Sequence, residues 1–596
     1  MSMPIPNLTQ ATIQRHATDQ SYDRGQAYWR SGAVTAVTQR QQTLEAEVEG
    51  NAPLPYRVTV EFDHGGITAA SCTCQYSFEG WCKHLVATLL TCVHQPETVE
   101  QRPSLSQLLD RLDWPQTQGL VQSLVAENPE LIESVDLYVT RLGQPQTAPA
   151  KRSAPPRQTS VDPAPFKRQA KAVVRGAVRD WDYGRDDDDI AYEIGALVDD
   201  ALAFVEQGDA ANAMVALQGI TEGCAENWDE IDEYVGLNPS DVGLDLDAAW
   251  AEVLLSADLT EDEALVWQEK LEFWQDQFDS FAMSLEALRQ GWDYPPLLKV
   301  FAGEITELGA WAGEAPDWAD EFSQIRLKIL ARQERYEDYL RLAAAENQTQ
   351  QYLTMLAQLG RTDEVMTIAP QQVTTLTEAK AIAETLRSQN QLPQALQIAL
   401  QGLQLENANP YIAHEFATWT SDLATGLGDT AAALEASILG FKACPSFQDY
   451  RTIQTLAGAD GATVRADLLD YLRTAKSWGT EEAQVNIFLY EELWEEAIAV
   501  ASQLSSYYGH LVLKVMDAVV ATNSQWVIDN ARPRAESIMD EGKAKYYHHA
   551  VDWLKRMKAA YHALGQAGDW RQYHHRLKAT HGRKRKLMGL MEQAHL

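Results

Sequence analysis

Two hydrophobic periods divide the chain. Between residues 33 and 72 apolar and polar positions alternate: Leu44, Ala46 and Val48 are separated by Glu45 and Glu47, and Tyr56, Val58, Val60 and Phe62 by Arg57, Thr59 and Glu61. Successive side chains of a strand leave opposite faces, so this alternation predicts a small meander with one face covered. Asp63, His64, Gly65 and Gly66 form the turn between two strands, His64 being a turn residue. The period changes at Leu85. From there to Leu90 the sequence is apolar and places Leu85, Leu89 and Cys92 along one side of a helix. From about residue 190 onward nearly every segment has helical spacing.

Proline and turn residues set the divisions. Residues 104 to 142 read as short helices through Leu108, Leu109 and Leu112 and then Leu120, Val121 and Leu124, broken at Pro115 and Pro129. Prolines at 145, 149, 155, 156, 163 and 165, without periodic apolar residues between them, predict a semi-extended linker. Further on, one phrase recurs, a Gly or Asn turn followed by an Ala-Leu helix. It occurs at Gly208-Asp209, Gly360-Arg361, Asn390-Gln391, Gly428-Asp429 and Gly568-Asp569-Trp570. The later copies are about 30 to 38 residues apart or several times that, the length of a two-helix repeat. A hairpin of this kind needs a neighbour to cover its apolar face, which predicts a stacked solenoid. Helices of a non-repeating bundle would give some of the same phrases. The expected fold is multidomain: a small α+β domain followed by a mainly α-helical, tetratricopeptide-like solenoid. Its divisions are residues 1–100 (the α+β domain, which carries the metal ligands), 101–142 (short helical extension), 143–165 (Pro-rich linker), 166–340 (acidic Trp-rich helical region) and 341–596 (helical repeats with a basic tail).

The zinc assignment comes from Cys72, Cys74, Cys82 and His84. Cys72 and Cys74 are an i, i+2 pair that an extended segment projects to one side, and Cys82 and His84 open the apolar helix. Three thiolates and one imidazole complete a tetrahedral shell with no position left for water, so one structural ion is expected. A sheet this small buries little area, so without zinc the domain should unfold. Cys-x-Cys followed by Cys-x-His resembles the SWIM zinc finger. Tyr22 to Trp29 and Gly32-Ala33-Val34 resemble the short helix and first strand that open members of the bacterial type without an attached ATPase. The resemblance covers roughly the first hundred residues and implies a module that binds DNA or proteins. Cys92, Cys224 and Cys444 are expected to be buried small hydrophobes.

Charge bears on partners. The net charge is −36, but residues 1–179 are neutral, residues 180–570 carry −42 and residues 571–596 carry +6. So acidic a middle repels nucleic acid and anionic membranes. Contacts of a nucleic-acid-binding protein would come from Lys151, Arg152, Arg157, Lys167 and Arg168, from Arg583, Lys584, Arg585 and Lys586, or from the zinc finger. The same basic residues would equally serve to offset the acidic array. Asp186 to Asp189 fails as a calcium loop, because Asp187 stands where the sharp-turn glycine is required. Trp228, Trp250, Trp267, Trp274, Trp292, Trp311 and Trp318 read as helical core, with a peptide groove as the alternative. No Walker loop, His-Glu-x-x-His or Gly-x-Ser-x-Gly motif is present, and His414-Glu415 is followed by Thr418 where a zinc protease needs His. An enzyme is therefore not expected. No signal pattern or apolar span is seen, and few cysteines are used, which predicts a soluble cytoplasmic protein. The leading function is an adaptor for protein partners, and the alternative is a nucleic-acid-binding protein.

Overall fold

The computed structural model describes residues 5–77, 80–128, 131, 161–182, 190–226, 228, 239–406, 409–475 and 479–596. Most of the expected linker, with Lys151, Arg152 and Arg157, and the Asp186–Asp189 run lie outside the described residues. Contacts group the chain into two compact units, one formed by Met1–Ser104 with Leu396–Leu596 and the other by Leu105–Ala395.

In the first unit, helices α1 (Gln10–Arg15) and α2 (Asp19–Arg30) precede strands β1 (Val34–Arg40), β2 (Thr43–Val48), β3 (Tyr56–Asp63) and β4 (Gly66–Cys72). Helix α3 (Lys83–His94) and a short β5 (Glu100–Gln101) complete the domain. The sheet order is β4-β3-β2-β1-β5, antiparallel except where β5 lies parallel to β1. The alternation in the sequence is the cause of its core. Leu44, Ala46 and Val48 on β2, and Val58, Val60 and Phe62 on β3, are buried together with Leu85, Val86, Leu89 and Leu90 of α3.

The remainder of this unit is a run of helical hairpins. Pro410–Leu427 packs on Thr430–Ala443, which meets Phe447–Ala457. Alternate helices then meet in a row, Phe447–Ala457 with Thr480–Tyr490, Gly509–Val519 and Tyr547–Ala563 in turn. Their apolar faces form one continuous core from Phe441 to Met591.

The zinc domain is docked on the first of these hairpins. Arg15 at the end of α1 donates to Ser421 Oγ (2.9 Å) and Thr418 Oγ1 (3.4 Å). It also lies 3.6 Å from the Asp422 carboxylate and 3.9 Å from that of Asp449. His16 pairs with Asp422 (2.7 Å) and His414 with Asp449 (2.8 Å). Asn7 Nδ2 donates to the Gly426 carbonyl (2.9 Å). The β3–β4 turn rests on the same helix, where a Cβ at Gly426 would collide with the Gly65 carbonyl.

The second unit is helical throughout its described part. Pro163–Asp182 lies against Ala210–Ala225 at two glycines: a Cβ at Gly223 would come within 2.7 Å of the Lys167 carbonyl, and one at Gly219 within 2.5 Å of that of Pro163. Trp250 is fully buried and donates to Thr221 Oγ1 (2.9 Å). Trp228 and Trp274 are buried beside it, Trp267 packs partly buried on the same core, and Trp292, Trp311 and Trp318 pack on a smaller cluster around Phe322. Three of the seven rings are core, as expected, and the other four pack on the core while partly exposed. Leu108, Leu109, Leu120, Val121 and Leu124 of the short helical extension are by contrast exposed.

The recurring turns are real and have one geometry. Gly208, Gly360, Asn390 and Gly428 all have positive φ. At each, the next residue's N–H reaches the carbonyl five residues back, as from Asp429 to Ala424 and from Arg361 to Leu356. This is the Schellman closure of a helix end. The last copy is displaced: Gly568 lies inside the Ala567–His581 helix, and Gly565 (φ 71°) makes the turn.

Candidate metal centre

β4 ends at Cys72 and the chain bends at Thr73 and Cys74, where the Thr73 N–H donates to the Arg57 carbonyl (3.0 Å) while its Oγ1 accepts from the Arg57 N–H (3.0 Å). That pairing ties the bend to β3, and both Cys72 and Cys74 reach the same site. Cys82 is the residue before α3 and His84 is in its first turn. Ligand atoms of Cys72, Cys74, Cys82 and His84 all lie within 4.8 Å of one another. A tetrahedral zinc with Zn–S near 2.3 Å holds its ligands about 3.8 Å apart. The 3.6 Å between Cys72 Sγ and His84 Nδ1 matches that spacing. The donors therefore fit one zinc ion, with no coordination position left over.

The surroundings fix the histidine. His84 is 2% exposed and stacked on Tyr56 (4.1 Å), with the edge of Tyr28 at 5.4 Å. Nδ1 faces the sulfurs, so the ring proton belongs on Nε2. That Nε2 is buried without an acceptor, close beneath Gly50, where a Cβ would come within 2.6 Å of the Tyr56 ring. The thiols perturb each other. Cys72 is pushed up by its hydrogen bond to Cys82 and by burial, and Cys74 by burial. Cys82 is held down to about 4, first by the hydrogen bond from Cys72 and, against the effect of burial, by contact with the His84 ring. Bound zinc replaces the shared protons and lets all three sulfurs act as thiolates.

The neighbouring candidates do other things. Cys92 is fully buried and pushed up to about 12 by burial, and His94 stacks on Trp29 (4.6 Å). Among the described residues no other cluster of His, Cys, Asp or Glu is arranged for a metal. Trp81, beside ligand Cys82, stacks on His16 (4.6 Å), and its N–H donates to the His16 carbonyl (2.6 Å). The metal loop therefore touches the residue that pairs with Asp422. Nothing in the sequence pointed to this link, since the partners are 406 positions apart.

A closed Cys-x-Cys, Cys-x-His shell between a hairpin and a helix defines a structural zinc finger. The family model of the SWIM zinc finger matches residues 56–93, from β3 to α3. Over 112 residues the chain is 37% identical to "Zinc finger SWIM domain-containing protein 8 homolog" of Drosophila melanogaster. Over 115 residues it is 35% identical to "Zinc finger SWIM domain-containing protein 8" of Bos taurus and of Homo sapiens. The similarity covers 19% of this chain and only 5%, 8% and 6% of those proteins. These relatives are animal proteins and lend no support to the expected bacterial type. No solved structure matches.

The basic residues divide. Lys167 is held by Glu222 (2.8 Å) and Glu226 (2.7 Å), and Lys171 also pairs with Glu226, so their charge is used within the unit. Arg168 is exposed. In the tail, Lys584 caps the Ser524–Asp540 helix through the Met539 carbonyl. Arg583, Arg585 and Lys586 are exposed. They do not pair with the neighbouring helix as the offsetting reading expected. Among the described residues no helix is long and apolar enough to cross a membrane.

Proposed function

We propose that the protein is a non-enzymatic, cytoplasmic adaptor, in which the zinc finger and the acidic helical array together present surfaces to protein partners. The observation that carries this reading is the pairing of a closed metal shell with a docked domain. The four-ligand set leaves no position for substrate, and α1 anchors the finger to stacked hairpins through Arg15 and His16. Such an assembly builds a surface rather than a reaction centre. The consumption of Lys167 and Lys171 in ion pairs supports proteins over nucleic acid.

The test is affinity purification of the full chain with mass spectrometry, before and after nuclease treatment, beside a salt titration of DNA and RNA binding. A variant with Arg583, Lys584, Arg585 and Lys586 changed to Gln is the comparison. Partners that survive nuclease, with weak nucleic-acid binding, are expected. Tight DNA or RNA binding near physiological salt that this variant loses would replace the adaptor with a nucleic-acid-binding protein.

A further inference from the structure

The helices Gly509–Val519, Ser524–Asp540 and Tyr547–Ala563 enclose a groove of about 690 Å³, within the size range that takes ligand side chains. Its walls combine rings and cations. Tyr507 is 81% exposed and Tyr546 44%, so both rings present their faces to solvent at the groove. Tyr546 is stacked with His549. Arg534 lines the same groove, its guanidinium over the Trp553 ring (5.5 Å) and its hydrogen bond going to a backbone carbonyl, that of Leu504 (3.2 Å). Among the described residues no carboxylate lies within ion-pair distance of it, and burial pulls its pKa down. The one acidic lining residue, Glu541, is paired with Lys543 (3.0 Å).

A half-buried cation so placed has given up part of its water without gaining a counter-ion among the described residues, an arrangement that a carboxylate from outside would complete. The basic turn beyond the groove adds to this. Lys584 is fixed on the Met539 carbonyl and His581 lies 3.5 Å from Asp540. Arg583, Arg585 and Lys586 are thus placed near the end of the Ser524–Asp540 helix that lines the groove, within the range where charges steer an anionic partner.

We infer that this groove binds an acidic peptide segment of a partner protein, with a carboxylate on Arg534 and an aromatic or large apolar side chain between Tyr507 and Tyr546. The inference rests on the adaptor reading and names the chemistry of one partner. A protein segment fits better than nucleic acid, because the site is a single concavity containing Glu541, not a track for successive phosphates.

The test uses the full-length zinc-loaded protein and fluorescence anisotropy. The probe is a short fluorescein-labelled peptide alternating Glu with Phe, compared with versions carrying Lys for Glu or Ser for Phe and with a thymidine oligonucleotide. The Glu-Phe peptide should bind and both altered peptides should fail. Arg534→Gln and Tyr507→Ala should each weaken binding roughly tenfold or more, while Lys299→Gln, an exposed cation in the other unit, should change nothing. Tyr507 is so exposed that its variant tests the groove even if Arg534→Gln unfolds. Equal binding of the Lys peptide, indifference to Tyr507→Ala, or tighter binding of the oligonucleotide at the same site would overturn the inference. Partners that survive nuclease and are retained by Arg534→Gln and Tyr507→Ala would refute the groove and leave the adaptor standing. If no partner is recovered with any version, the adaptor itself fails.

Discussion

Replacing Arg15 by Met should loosen the zinc domain from the helical array without removing the metal. The Arg15 side chain is 7% exposed and that of Asp449 8%, so the charges are desolvated. Breaking a buried pair from one side costs about 3–5 kcal/mol, because the abandoned charge stays buried. Here the lower end applies. Asp449 keeps Ser446 Oγ (2.7 Å) and His414 (2.8 Å), and Asp422, 23% exposed, keeps His16. A loss of about 3 kcal/mol lowers the ratio of docked to undocked domain about a hundredfold. The assay is native-state hydrogen exchange. Amides of α1 and of Pro410–Leu427 should exchange faster by that factor while zinc content is unchanged. The pH dependence has a fixed sign. Burial raises the Asp449 carboxyl, but the hydrogen bond from His414 and the charges of His414 and Arg15 outweigh it and hold the group below its ordinary value of 3.8. Its stabilisation is therefore fully present above about pH 4 and lost as pH falls through the lowered folded pKa. Unchanged exchange in α1, or zinc lost together with Arg15, would refute this account of the docking.

Cys82→Ser should remove the metal and, since structural zinc is worth about 10 kcal/mol or more in small domains, abolish exchange protection in α3 while the hairpins beyond Gly509 persist. Full zinc occupancy by metal analysis would count against the ligand set. Asp247 accepts from the N–H groups of Met283 and Ser284 (2.9 and 2.7 Å), yet burial pushes its carboxyl up to about 6 from 3.8. The folded state then keeps a proton that the unfolded state has lost, so stability should rise as pH falls from about 7 toward 4. Asp247→Asn should flatten that slope in urea titrations, and an unchanged slope would place the charge elsewhere. Trp250→Phe removes a fully buried indole and its hydrogen bond to Thr221. The expected cost is about 2–3 kcal/mol by urea unfolding, and a loss below about 0.5 kcal/mol would show that the site repacks.

What could be read from the sequence was what local spacing determines. β2 and β3 were legible because one face of each is buried, so the alternation of Leu44, Ala46, Val48 and of Val58, Val60, Phe62 is the burial pattern itself. The metal site was legible because its ligands fall within one hairpin and one helix start. The turns were legible only where glycine or asparagine marked them. Glu334 and Glu492 adopt the same left-handed conformation, with the same backbone closure to Leu330 and Phe488, and escaped notice because Glu carries no turn signal; Asn347, which closes to Ala343 in the same way, did carry one and was missed. The docking was beyond reach for another reason. Arg15, Ser421 and Asp422 obey no period, and a polar contact across 406 positions leaves no mark on either segment.

That hidden contact alters the reading of the zinc domain. Taken alone, its small core makes the metal the main source of folding free energy. Docked, it has a second source, because α1 and the Gly65 turn meet the Pro410–Leu427 helix while Trp81 of the metal loop rests on His16. Zinc orders the segment that carries Trp81, Trp81 supports His16, and His16 holds Asp422. Metal binding and docking therefore share residues, and each should strengthen the other by the same factor. The Arg15 variant should then bind zinc more weakly than the parent in a chelator competition even where its occupancy at saturating zinc is complete, by no more than the factor by which its docking is weakened. Equal competition curves would mean that Trp81 keeps its place without the array, and that the finger and the array are joined but not coupled.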